Sequence, residues 1–145
     1  HTADDIVSIN TVYYGTESNP VYSFALEKEE DGWFFSADCL VGNQKDHYTS
    51  FSSFPISAED AEELLRIIRE DGETEKLYRR RNPIRIFRSS DAPARSSAMS
   101  FSDGNTIEKE TMLGDRALNY LYALAERYFE AAESLTAPST GTASN

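Results

Sequence analysis

Between residues 21 and 41 the chain alternates. Tyr22, Phe24, Leu26, Phe35, Ala37, Cys39 and Val41 are apolar, and Ser23, Glu27, Glu29, Ser36 and Asp38 fall between them. A period of two marks strands with one face in a core. Asp31-Gly32, a dipeptide suited to the positive φ angles of a tight turn, folds the stretch into a hairpin. A two-residue loop there pairs Glu30 with Trp33, Leu26 with Ala37 and Phe24 with Cys39, bringing both apolar sets to one face. Trp33, Phe34 and Phe35 in succession place rings on both faces, so Trp33 or Phe34 is expected on the open side. An exposed ring there would stack on a sugar or a partner; the plainer expectation is packing under a loop or helix.

The flanking segments extend this pattern. IVSINTVYY, residues 6–14, is β-branched and aromatic and predicts a strand ended by Gly15 and the polar ESNP turn. After GNQKD, HYTSFSSF predicts another strand, although Phe51 and Phe54 differ in parity. Ser57 then suits a helix N-cap, with Asp60 at the third helical position to return the capping bond and Ile56 as a hydrophobic staple. Ala61, Leu64, Leu65 and Ile68 follow at helical spacing, and Gly72 offers a left-handed stop. Pro83 favours extended backbone before it, and residues 84–88 read as a short strand. SAMSFSDGNTIEKE predicts a second hairpin about Asp103-Gly104. From Asp115 the stripe Ala117, Leu118, Leu121, Leu124, Ala125, Tyr128, Phe129, Ala132 predicts the longest helix. The predicted fold is α+β: a largely antiparallel sheet of five to seven strands built from DG-turn hairpins, with two amphipathic helices (57–71 and 115–134) on one face. Residues 1–135 form one domain and the small, polar 136–145 a flexible tail. A DG hairpin followed by a helix occurs twice, either a pseudo-repeat or the ordinary recurrence of these elements.

Length and composition support a real core. The 145 residues include eight Tyr, eight Phe and one Trp, enough to bury a core without disulfides. Cys39 is the single cysteine, which excludes an intramolecular disulfide framework and a cysteine zinc site but leaves the compartment open. No apolar run is long enough for a membrane span, so a soluble chain is expected. The start at His1, without an apolar signal segment, reads as a processed or trimmed product.

Charge changes the picture more. The formal net charge is -11, which disfavours general nucleic-acid binding because phosphate neutralisation supplies most of that affinity; an acidic nucleic-acid mimic is a remote alternative. Yet seven of the 14 basic residues, Lys76, Arg79, Arg80, Arg81, Arg85, Arg88 and Arg95, lie between positions 76 and 95 with Asp91 the only acid there. Guanidinium groups so spaced can fork onto phosphate, sulfate or carboxylate, with Tyr78 and Phe87 as stacking surfaces. Two alternatives compete: pairing with the protein's own acids Glu62, Glu63, Glu70 and Asp71, or protection of an exposed edge strand.

Other chemistry is thinly represented. Cys39, His47, Asp38 and Asp46 are the residue types of a thiol-imidazole site, but the hairpin pattern puts Cys39 in the core and Asp38 on the opposite face. The acids of EKEED (27–31) and EDAEE (59–63) fit a hairpin turn and a first helical turn better than a catalytic pair. No metal motif, glycine-rich phosphate loop or nucleophile elbow occurs, and no cofactor is expected.

The segments ISAEDAEELLRIIRE, FSDGNTIEKE and LNYLYALAERYFE together resemble small uncharacterised proteins of Gram-positive gut bacteria. That resemblance implies a bacterial protein, often exported or lipid-anchored, and brings no catalytic residues. The expected function is a non-enzymatic binding module in which Arg79, Arg80, Arg81, Arg85 and Arg88, supported by Tyr78 and Phe87, contact an anionic ligand or an acidic protein surface. The alternatives are a small carboxylate-based hydrolase acting on carbohydrate and a structural, self-associating subunit.

Overall fold

A computed structural model describes residues 2–13, 22–40, 48–81 and 95–136. After a 3-10 turn at Ala3–Asp5 come β1 (Ile6–Tyr13), β2 (Tyr22–Glu29), β3 (Gly32–Leu40), β4 (Tyr48–Ile56), α1 (Ala58–Asp71), α2 (Glu73–Arg79), β5 (Arg95–Phe101), β6 (Thr106–Lys109) and α3 (Asp115–Thr136). The six strands form one sheet in the order β4-β3-β2-β1-β5-β6, every neighbour antiparallel. The α+β fold and the strand number match the sequence pattern. The strand expected at 84–88, with Arg85, Phe87 and Arg88, lies outside the described residues, as do His47 and positions 137–145.

One sheet face is apolar. Ile9, Thr11, Phe24, Leu26, Phe35, Ala37, Met99 and Ile107 are buried on it, and α1 and α3 supply Ala61, Leu64, Ile68, Ala117, Leu121, Leu124 and Ala125 from above. The opposite face carries Ser8, Asn10, Ser23, Ala25, Ser36, Ser96, Ala98 and Ser100, small residues that tolerate water. Trp33 shares the parity of Phe35 and is buried at 7 % exposure, so the ring on the open side is the half-buried Phe34. Lys28 lies over the Trp33 ring at 5.9 Å from its centroid.

Two registers differ from the simple pattern. The first hairpin pairs Glu29 with Gly32 and Leu26 with Phe35, so the turn residues are Glu30 and Asp31 and the pairing is shifted by two. A shift of two preserves the faces, so Tyr22, Phe24, Leu26, Phe35, Ala37 and Cys39 are buried as expected although their partners differ; Val41 lies outside the described residues. On β4, Phe54 sits opposite Phe35 and Phe51 opposite Ala37, so one extra β4 residue is accommodated between them. Ser53 takes φ 53° at this bulge, and its amide donates to Ser36 Oγ at 2.9 Å. The bulge reconciles the parities of Phe51 and Phe54 by turning both rings toward the core.

The helices begin and end where their chemistry dictates. Ser57 Oγ accepts from the Asp60 amide at 3.1 Å, and Gly72 closes α1 at φ 66°. The return capping bond is not made by Asp60: the Ser57 amide donates to the Tyr128 hydroxyl at 3.3 Å, and that hydroxyl donates to the Asp60 carboxylate. Asp60 is thereby shared between the start of α1 and the second half of α3. The chain then continues from Gly72 directly into α2, a helix not expected from the sequence. Leu77 and Thr74 anchor it, 2 % exposed each, with Thr74 Oγ1 donating to Met99 Sδ at 3.4 Å.

Replacing Leu121, 1 % exposed, by Ala is expected to cost about 2–5 kcal/mol in denaturant unfolding, as for other large-to-small core changes. Gly72→Ala should cost about 1–2 kcal/mol in the same assay because a Cβ disfavours the left-handed conformation.

Candidate functional site

Four acids of α1, Asp60, Glu63, Glu70 and Asp71, have arginine partners close by. Arg66 hydrogen-bonds Glu63 and Glu70 on its own helix, Arg116 bridges from α3 to Glu70 and Asp71, Arg127 reaches Asp60, and Arg69 reaches Asp4 at 3.0 Å. The hydrogen bonds from Arg66 hold the Glu63 and Glu70 carboxyls below their usual range. Such exposed pairs contribute little to stability individually. They nevertheless settle where the acids of α1 are satisfied: Glu63, Glu70 and Asp71 are engaged by Arg66 and Arg116.

The arginines of the 76–81 stretch are placed differently. Lys76 and Arg79 project from the last turn of α2, Arg80 is its C-cap and Arg81 follows, all exposed. Among the described residues no acid forms an ion pair with the side chains of Lys76, Arg79, Arg80 or Arg81. Of the four acids expected to pair with Arg79–Arg81, Glu63, Glu70 and Asp71 pair with Arg66 and Arg116 instead, and Glu62 forms no ion pair among the described residues. Edge protection does not describe Arg79 and Arg80 either, because they lie on a helix and its C-cap; the strand expected at 84–88, to which that alternative applied, lies outside the described residues. Tyr78, 47 % exposed, stacks at 6.5 Å on Phe101, so its ring is partly engaged by the sheet.

Beside the strip lies a cleft of about 300 Å³ between α2 and residues 111–114, with Glu73, Lys76, Leu77 and Arg80 on the helix side and Thr111, Met112 and Gly114 opposite. Its walls are tied to the sheet. Lys109 Nζ donates to the Arg80 carbonyl at 2.6 Å, and Ser97 Oγ donates to the Thr111 carbonyl at 2.7 Å. Ser97 in turn shares a buried hydrogen bond of 2.9 Å with Thr11 on the neighbouring strand. On the inner wall the Gly114 amide donates to Glu73 Oε2 at 3.1 Å. Glu73 is 4 % exposed; nothing in the residue pattern distinguished it from the exposed acids of a first helical turn.

The remaining candidate chemistry is placed as follows. Cys39 is fully buried, and burial together with the nearby Asp38 charge pushes its thiol up to about 12, so it stays protonated at neutral pH. Glu27, Glu29, Glu30 and Asp31 are exposed around the first turn, and Asp60 and Glu63 are committed to arginines. Among the described residues no group of His, Cys, Asp and Glu side chains is arranged to hold a metal ion. No helix among them is long and apolar enough to cross a membrane.

Burial works against ionisation of Asp60, but hydrogen bonds from Tyr128 and Arg127 outweigh it and hold the carboxyl below its usual range. A lowered folded-state value means that this contribution is complete above the unfolded-state value and is lost as pH falls through the folded one. Asp60→Asn should therefore lower the thermal midpoint at pH 7 and narrow its difference from the unchanged protein as pH drops below about 4, read by scanning calorimetry. Cys39 should resist thiol reagents at pH 8 until the protein is unfolded.

The chain was compared with known proteins, and no family model, no curated protein and no solved structure matches it.

Proposed function

We propose that this protein is a binding module whose α2 cations, Lys76, Arg79, Arg80 and Arg81, receive an anionic ligand or an acidic protein surface. One observation carries the reading. In a chain of net charge -11, these four neighbouring cations have no ion-pair partner among the described residues, whereas Arg66, Arg69, Arg116 and Arg127 all have one.

Physical chemistry favours an external anion for such a strip. Guanidinium groups are weakly hydrated and present planar pairs of donors to carboxylate or phosphate. Backbone held by α2 and its cap fixes where Lys76, Arg79 and Arg80 stand, so less ordering is required on binding than for a free tail. The surrounding negative field would repel long polyanions approaching elsewhere and confine contact to this strip. Arg85, Arg88 and Phe87 extend the same reading by sequence alone.

The test is a titration at low salt with heparin, an oligonucleotide, anionic vesicles and polyglutamate, beside a variant carrying Arg79→Ser, Arg80→Ser and Arg81→Ser. At least one anion should bind saturably, weaken with added salt, and lose about tenfold or more in affinity to the variant while the variant keeps its thermal midpoint. No binding by any of them, together with a lowered midpoint in the variant, would contradict the proposal and return the arginines to a structural role.

A further inference from the structure

We propose that the cleft between α2 and residues 111–114 binds a small zwitterion of the amino-acid class, its ammonium on Glu73 and its carboxylate on Lys76 and Arg80. This rests on the reading that the α2 cations face an external anion, and it names the ligand at the cleft beside the strip.

Glu73, Lys76, Leu77 and Arg80 occupy positions i, i+3, i+4 and i+7, so one side of α2 presents acid, base, apolar group and base in succession. The acid is the unusual member. A carboxylate can accept about four hydrogen bonds, yet among the described residues Glu73, at 4 % exposure, receives only the Gly114 amide, on Oε2. Among the described residues no cation pairs with it, although Lys76 and Arg80 line the same cleft. Its Oε1 is not among the buried side-chain atoms left without a partner, so it is open to the cleft that Glu73 lines, where a ligand ammonium has access to it.

The opposite wall is shaped around this carboxylate. A Cβ on Gly114 would lie 2.2 Å from Glu73 Oε2, so glycine at 114 is what lets the acid sit against the backbone. The charge pattern then selects the ligand. A simple anion drawn by Lys76 and Arg80 meets Glu73, and a simple amine drawn by Glu73 meets the two cations; only a molecule bearing both charges satisfies both ends. Leu77 and Met112 offer apolar contact to a side chain, and about 300 Å³ is the lower end of the range for small-ligand clefts.

The experiment is calorimetric titration of the full chain at low salt with leucine, methionine and 6-aminohexanoate, then with 4-methylpentanoate and 3-methylbutylamine, which each keep one charge of leucine. At least one zwitterion should bind saturably, and the single-charge analogues should bind about tenfold or more weaker, the size expected for losing a charge-assisted hydrogen bond. Glu73→Gln should abolish the preference for zwitterion over carboxylate. Binding by none of the zwitterions, or equal binding of leucine and 4-methylpentanoate, would overturn the assignment, and that comparison on the unchanged protein decides it even if the variant fails to fold. A parallel heparin titration separates the two readings: heparin binding without zwitterion preference removes the cleft assignment alone, and loss of all anion binding removes both.

Discussion

The organisation of this protein follows from covering one face of an antiparallel sheet. Alternation along β1, β2, β3 and β5 sends Ile9, Phe24, Leu26, Phe35 and Met99 to one side, and removing that area from water is worth about 25 cal/mol per Å². Helices are required on that side, and the chain supplies α1 and α3 for the central strands. Strand order then imposes a second demand. After β4, at one edge, the chain must cross to place β5 beside β1, and α1 followed by α2 makes the described part of that crossing. The strip of cations is delivered to the β5-β6 end of the sheet as a consequence of this topology.

The placement of charge follows from the same layer. α1 needs a polar outer face, and it is acidic, with Glu63, Glu70 and Asp71 reached by Arg66 on α1 and Arg116 on α3. Asp60 is drawn into the contact between α1 and α3 by Arg127, Tyr128 and Tyr120, whose hydroxyl donates to the Asp60 carbonyl at 2.9 Å. These pairs satisfy acids at the helical layer without calling on the cations of α2. Because Gly72 turns the chain between the two helices, the residues after it look out over a different part of the molecule.

Most of the architecture was legible in the residue pattern because burial has a period. Period two exposed the apolar face of the first hairpin, and period 3.6 exposed the stripe of α3 from Ala117 to Phe129. Legibility failed where a local event overrides the period. The bulge at Ser53 disguised the shared face of Phe51 and Phe54, since no residue type announces it. The hairpin register slipped by two because faces alone leave it undetermined. α2 was missed because seven residues with one large buried side chain, Leu77, carry too little periodicity, and the dense arginines after it suggested an extended segment. The strip itself was visible as composition. Whether its members were paired was not, since pairing depends on tertiary neighbours such as Arg116 and Glu70, 46 residues apart. Glu73 is the same case: its burial arises from contact with Gly114 across the cleft.

Among the described residues no acid pairs with Arg79, Arg80 or Arg81 at the end of α2, whereas Arg66, Arg116 and Arg127 are each held by acids. Arginine-specific modification with phenylglyoxal, followed site by site by mass spectrometry on the folded protein, measures this directly. Arg79, Arg80 and Arg81 should react faster than Arg66, Arg116 and Arg127, and a bound anion should slow the first group selectively. Equal rates for all six, with no selective protection by any anion, would contradict this.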